Sequence, residues 1–131
     1  MRTLTDHKLN GLNDALTITV LDEPGAGGAN HKYEISLSAP PDDPIGIAPD
    51  AKRTSWQIDF QNGPIQEAKY NGLSGEAIIA IAIDRLRSFQ AGPYKCRENA
   101  CALTHFEEGL MWLQKRTRDR LARGVEGTHK V

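Results

Sequence analysis

The spacing of apolar and polar residues divides the chain into a strand-like first part and a helical second part. Apolar residues alternate with polar ones over residues 16–21, 32–38 and 55–60, a pattern typical of half-buried strands. A fourth strand is predicted over residues 65–70. Turns rich in Gly and Pro separate these segments, and residues 39–50, with four prolines, are predicted to form a loop. Strands joined by short turns favour an antiparallel sheet.

From residue 73 onward the apolar period changes to that of a helix. Ser74 is a suitable N-cap for a first helix, which Gly92 and Pro93 end. A second helix is predicted from about Arg97 to Ala122, with Gly124 as its stop signal. The short link between two amphipathic helices predicts an antiparallel hairpin. The predicted fold is therefore α+β, a small antiparallel sheet of about four strands followed by a long αα-hairpin.

We interpret residues 1–131 as a single domain with three parts. Residues 1–72 are its β-rich part, residues 73–124 its helical hairpin and residues 125–131 a C-terminal tail. A 26-residue helix spans roughly 39 Å, whereas the radius of gyration of a compact chain of this size is about 14 Å. Because one small sheet cannot cover both sides of such a helix, we expect the hairpin to pack against further copies in a homo-oligomer.

Composition narrows the class of protein. Of the 131 residues, 39% are apolar and 25% charged, which is typical of a soluble globular protein. The apolar run that includes residues 78–83 is far shorter than the roughly 20 residues of a membrane-spanning helix. The N-terminus carries no apolar secretion segment. The two cysteines, Cys96 and Cys101, are five residues apart in a predicted helix and face different directions, so a disulfide between them is not expected. We therefore expect a cytoplasmic location and no membrane partner.

The net charge of −1 conceals an uneven distribution. Residues 114–131 carry six basic and two acidic side chains, a net charge of +4, while residues 1–113 sum to −5. A basic segment this short favours a small anionic partner over a nucleic-acid polymer. A solvated helix end is the alternative interpretation of the same charges.

Four residues of the predicted hairpin have side chains suited to a nucleotide-like ligand. Arg116 and Arg120 lie one turn apart, and two guanidinium groups can bind phosphate through forked donors. Phe89 offers an aromatic face for a base, and Asn99 offers both a donor and an acceptor. The alternative is that the arginines favour the helix dipole and that Phe89 belongs to the core.

Signals for catalysis are weak. His105 and Glu108 share a helix face, but zinc usually takes three or four protein ligands, so we predict no metal site. Gly25, Gly27 and Gly28 fit neither a dinucleotide-binding nor a phosphate-loop pattern, and a hairpin loop is the better interpretation. We expect no cofactor and no enzymatic activity. An enzyme that cleaves a cyclic nucleotide, and a structural module that uses the hairpin only for assembly, remain the alternatives.

Residues 55–129 contain an ordered series of short motifs. The series consists of Phe60-Gln61-Asn62-Gly63-Pro64, Ile83-Asp84-Arg85-Leu86, Phe89-Gln90, Cys96-Arg97-Glu98-Asn99-Ala100, Leu103-Thr104, Glu107-Glu108, Trp112, Arg116-Thr117, Arg120 and Arg123-Gly124-Val125-Glu126-Gly127-Thr128. In order and spacing it resembles the phage Thoeris anti-defence protein 1 family. That family shares its helical hairpin with the phage anti-CBASS cyclic-nucleotide sponges.

The resemblance implies a non-catalytic sponge that sequesters cyclic ADP-ribose isomers made by Thoeris immunity in the cytoplasm of an infected or lysogenic bacterial host. It implies oligomers, including hexamers, with the ligand between subunits, and in some members a separate pocket for CBASS cyclic di- or trinucleotides. By position, Phe89 would stack on the adenine, Asn99 would bond the ligand, and Arg116 and Arg120 would hold its phosphates. Phe106 and Thr128 are further ligand-binding candidates.

Overall fold

The computed structural model describes residues 1–131, and its contacts group into two compact units, Met1–Asn62 and Gly63–Val131. The boundary lies ten residues before the end of the predicted β-rich part at residue 72. The α+β class and the four-stranded antiparallel sheet are confirmed.

The first unit is built on the four-stranded sheet, with strands in the order β1-β2-β3-β4. The strands are β1 (Arg2–Leu4), β2 (Leu16–Val20), β3 (Lys32–Leu37) and β4 (Ser55–Asp59), and one turn of helix, α1 (Leu12–Ala15), precedes β2. The three strands predicted from alternation are present within one residue at each end. Register is set by pairs such as Ile18 with Ile35 and Ile35 with Trp56, which bring apolar residues opposite one another.

One strand of the sheet was predicted wrongly and another was not predicted. The segment predicted as a strand over residues 65–70 is a single helical turn, α2 (Ile65–Ala68). The amides of Glu67 and Ala68 donate to the carbonyl of Pro64, so local hydrogen bonds replace those of a ladder. The fourth strand is instead β1, which pairs with β2. With three residues, β1 is too short for its alternation to be detected in the sequence.

The second unit holds the helical hairpin and agrees closely with its prediction. Helix α3 (Gly75–Gln90) begins after Ser74, whose hydroxyl accepts a hydrogen bond from the Ala77 amide at 3.1 Å. Helix α4 covers Arg97–Ala122 and packs against α3. An ion pair at 2.7 Å joins Arg87 of α3 to Glu107 of α4.

Little of the chain is fully buried. Ala15, Val20 and Ile83 are the buried apolar residues, and α4 has no buried residue along its whole length. None of the helices combines the length and the apolar character that crossing a membrane requires.

Candidate functional site

A basic cavity lies at the C-terminal end of α4. Its volume is about 470 Å³, and its lining consists of Trp112, Lys115, Arg116, Asp119, Arg120, Arg123 and Val131. Most of these residues recur at steps of three or four, so one face of the helix supplies them. Four cationic side chains face one carboxylate, and the exposed indole of Trp112 adds an apolar wall. An aromatic wall beside several cations suits an anion that carries a flat ring.

The two predicted phosphate ligands, Arg116 and Arg120, have different surroundings in this cavity. Arg116 is exposed and forms no hydrogen bond or ion pair within the chain. Its five N–H donors are therefore available for an anion. Arg120 is nearly buried, with 12% of its side chain exposed.

The guanidinium of Arg120 is almost saturated by the C-terminal tail, residues 125–131. Nε donates to the Glu126 carboxylate at 3.1 Å, and Nη1 donates to the Lys130 carbonyl at 2.7 Å. Nη2 donates to the carbonyls of Val125 and Thr128 at 3.0 and 3.1 Å. Four of the five N–H groups of Arg120 are thus committed, which leaves one for a ligand.

Gly124 directs the tail back toward α4. With φ at +72°, it ends the helix in a Schellman motif, in which the Val125 amide donates to the Arg120 carbonyl and the Gly124 amide to the Leu121 carbonyl. The predicted stop signal at Gly124 is therefore confirmed. The Thr128 hydroxyl donates to the Val125 carbonyl and accepts from the Lys130 amide, so this candidate ligand residue is engaged within the tail.

Helix α2 holds the other side of the tail. The backbone amide and side-chain amide of Gln66 donate to the carbonyls of Gly127 and Glu126, each at 2.9 Å. His129 Nδ1 lies 2.7 Å from the Glu67 carboxylate. Gly127 has φ at +78°, and a Cβ on it would come within 2.9 Å of Ile65 and Gln66, so only glycine fits there. Sequence reasoning did not identify Glu126 and Gly127 as the residues that hold the tail against α2 and Arg120, although both belong to the motif series given above.

Phe89 and Asn99 occupy the opposite end of the hairpin. Phe89 lies in the last turn of α3 with 39% of its surface exposed, and the guanidinium of Arg85 lies 5.6 Å from its ring centre. The Cys96 thiol caps α4 by accepting a hydrogen bond from the backbone N–H of Asn99. The Asn99 side chain forms no hydrogen bond within the chain. The Gln90 side chain pairs with both backbone groups of Cys96 and so fixes the start of the helix.

Within one chain, the four predicted ligand residues therefore form two groups. Asn99 and Arg116 are 17 residues apart on one continuous helix, which corresponds to about 25 Å. Phe106, with 42% of its surface exposed, lies between them. A ligand that contacted both groups of one chain would have to span most of this distance.

A second polar cluster lies in the first unit, where Asp22 follows β2. Its carboxylate accepts hydrogen bonds from the amides of His31 and Lys32 at 3.0 to 3.2 Å. Partial desolvation raises the pKa of the Asp22 carboxyl, but these backbone donors and the electrostatic interaction with His31 outweigh it, so the net pKa lies below the ordinary value. These bonds fix the start of β3 after the glycine-containing loop, which is a hairpin loop as predicted.

No group of three His, Cys, Asp or Glu side chains is arranged to hold a metal ion. Cys96 and Cys101 are both exposed free thiols.

Comparison with known proteins places the hairpin in a described family. Residues 55–118 match the model of the Acb2/Tad1 hairpin domain, a range that includes Phe89, Asn99, Phe106 and Arg116 and ends before Arg120. A protein of Bacillus phage SBSphiJ7 named Thoeris anti-defense 1 is 53% identical over 73 residues. This match covers 56% of the chain and 51% of the phage protein, so the chain matches about half the length of that relative.

Proposed function

Residues 55–118 belong to the family of Acb2/Tad1 hairpin domains, and from this match we propose that the chain is a phage anti-defence protein that acts as a sponge. Its ligands are cyclic ADP-ribose isomers that signal in Thoeris immunity. It binds them without cleaving them, in the cytoplasm of the infected or lysogenic bacterial host, and downstream effectors are then not activated.

The chemistry of the basic cavity supports a phosphate ligand. The exposed guanidinium of Arg116 can donate two parallel hydrogen bonds to phosphate oxygens, and Lys115 and Arg123 add positive charge nearby. At the other end of the hairpin, the half-exposed Phe89 ring offers a stacking surface for adenine, and the Asn99 amide can recognise its edge. Stacking contributes about 1–3 kcal/mol per base, and hydrogen bonds to charged groups contribute about 1.5–3 kcal/mol each.

An assembly of several copies is supported by one observation: Asn99 and Arg116 are about 25 Å apart along α4. A ligand that uses both groups must take Phe89 and Asn99 from one copy and Arg116 from another. The exposed apolar residues of the hairpin supply surface for such an assembly, among them Ile81, Met111, Trp112 and Leu121. We therefore propose a homo-oligomer, a hexamer as in the resembling family, with the ligand between subunits.

A release experiment tests sequestration against catalysis. The protein is incubated with a panel of cyclic ADP-ribose isomers, separated from free ligand by gel filtration and denatured by heat. Chromatography of the supernatant is expected to return the bound isomer chemically intact and in stoichiometric amount. A hydrolysed product would instead establish the enzyme alternative.

Calorimetry on the same panel supplies the complementary measurement. An absence of heat for every isomer would favour the hairpin as an assembly module without a nucleotide ligand.

Titration with CBASS cyclic di- and trinucleotides in the presence of a saturating isomer tests for a separate second pocket. Unchanged affinity for the cyclic oligonucleotide would support separate pockets, and competition would contradict them.

A further inference from the structure

The side chain of Glu126 is not among the proposed ligand contacts, yet it forms a partly buried ion pair with Arg120. Its Oε2 lies 3.1 Å from Nε of Arg120, and the two side chains are 29% and 12% exposed. Both figures are far lower than for the ion pair of Lys115 and Asp119 on the same helix, whose side chains are about 60% exposed. Partial burial strengthens the interaction of such a pair relative to one in solvent.

Glu126 is itself fixed from the side opposite α4. The Gln66 side chain binds its carbonyl, the Gln66 amide binds the next carbonyl along the chain, and Gly127 fits closely against Ile65 and Gln66. The position of the Glu126 backbone therefore does not depend on Arg120 alone. A carboxylate carried by a backbone with its own support can orient the guanidinium that binds to it.

We propose that Glu126 is a positioning residue of the binding site, which acts on the ligand through Arg120. This inference rests on the proposed function, because it concerns the same cavity. Arg120 donates four hydrogen bonds to the tail, from Nε, from one hydrogen of Nη1 and from both hydrogens of Nη2. It therefore presents a single N–H group and a fixed positive charge to a ligand. Arg116 supplies the forked contact, and Arg120 supplies one donor whose direction is set before the ligand arrives.

Preorganisation of this kind raises affinity because the side chain loses no rotamer freedom on binding. Without the Glu126 charge, the bond that Arg120 Nε donates loses its charge assistance, and the guanidinium is held less firmly in the geometry that the ligand requires. The alternatives are that Glu126 only stabilises the tail, or that the ligand displaces the tail and takes the Arg120 donors for itself.

A double-mutant cycle separates these roles. Ligand affinity is measured for the wild type, Glu126→Gln, Arg120→Lys and the double variant. The control is Glu108→Gln, which removes an exposed, unpaired carboxylate from α4, the helix that carries Arg120. We expect Glu126→Gln to weaken binding by about tenfold. In the Arg120→Lys background the same change should cause no additional loss, since a residue that acts through Arg120 has no effect without it.

Three outcomes would contradict the proposal, and they are distinguishable. If Glu126→Gln binds as tightly as wild type while Arg116→Ala does not, the role of Glu126 is wrong and the proposed function stands. If the losses at Glu126 and Arg120 are additive, Glu126 acts independently of Arg120. If the wild-type protein binds no isomer of the panel, the proposed function itself fails.

A measurement on the wild-type protein covers the case in which Glu126→Gln fails to fold. The Arg120 Nε–H group, bound to a carboxylate in a partly buried site, should give a resolved and slowly exchanging ¹⁵N resonance. We expect this resonance to persist when the protein is saturated with ligand. Its loss or a shift to the position of solvated arginines would mean that the ligand displaces the tail, which would overturn the positioning role.

Discussion

At the scale of single residues, the local environment gives two arginines of one helix face different chemical capacities. Arg116 and Arg120 lie one turn apart, but only Arg120 is within reach of the tail carbonyls and the Glu126 carboxylate. Arg116 keeps all its donors. A forked contact to phosphate requires two free, parallel N–H groups, so Arg116 is the better candidate for that contact.

Arg116→Ala should weaken binding of a cyclic ADP-ribose isomer by about ten- to hundredfold, since hydrogen bonds to charged groups contribute about 1.5–3 kcal/mol. The matched control is Arg118→Ala, which removes the same charge from the same helix outside the cavity lining. Calorimetry should show wild-type affinity for the control. Equal losses in both variants would mean that general positive charge, and not a specific contact, attracts the ligand.

At the scale of elements, two segments with few backbone hydrogen bonds of their own, the β2–β3 loop and α2, are held by other contacts. The loop is held by a side chain, and α2 is held by the tail. The loop between β2 and β3 contains three glycines, and the Asp22 carboxylate fixes the residue at which β3 resumes by accepting two backbone amides. Helix α2 is a single turn, and its bonds to the tail add to the few that it makes internally.

Asp22→Asn should lower the thermal midpoint of unfolding near neutral pH, because the amide is a weaker acceptor for the His31 and Lys32 amides than the carboxylate. The pKa of Asp22 is lower in the folded state, so its contribution to stability is present above its unfolded pKa and is lost as pH falls through the folded value. The difference between wild type and variant should therefore shrink below about pH 4. Midpoints measured by circular dichroism from pH 7 to 2.5 check this. A constant difference over that range would contradict the assigned role of the carboxylate.

At the scale of the whole molecule, the single chain leaves much apolar surface uncovered. Ala15, Val20 and Ile83 are its buried apolar residues, whereas Trp112 is 59% exposed and Leu121 62%. Burial contributes roughly 25 cal/mol per Å² of apolar surface, so assembly that covers the hairpin would add stability that one chain lacks. The same assembly is required to complete the proposed site.

Mixed assemblies of two inactive variants test the shared site. Phe89→Ala and Arg116→Ala subunits should each bind poorly alone, but random co-assembly should restore about a quarter of the sites, because intact ends from different subunits then meet. Phe89→Ala mixed with Asn99→Ala is the control, since both residues belong to the same end and no intact site forms. Titration of the purified mixed oligomers measures the restored fraction. A site built within one chain would show no restoration in either mixture.

Local signals accounted for the parts of the fold that were predicted well. A hydroxyl cap at Ser74, a glycine at 124 and a helical apolar period determine where α3 begins and where α4 ends, since these effects act within one or two turns. Alternation identified β2, β3 and β4. The segment 65–70 was predicted wrongly because its apolar residues, at positions 65, 68 and 70, do not alternate strictly with polar ones, and β1 escaped notice because it has only three residues.

The sequence by itself determined the α+β class, the helical hairpin with its caps, and the residue types suited to a nucleotide ligand, because periodicity, capping and side-chain chemistry are local properties. Only the tertiary structure decided that the tail folds back onto α2 and α4 and takes four of the Arg120 donors. It also decided that Arg116 stays free. The physical reason is that hydrogen bonds such as that from Gln66 to Glu126 join residues 60 positions apart, and no local pattern records which distant carbonyl will meet a given donor.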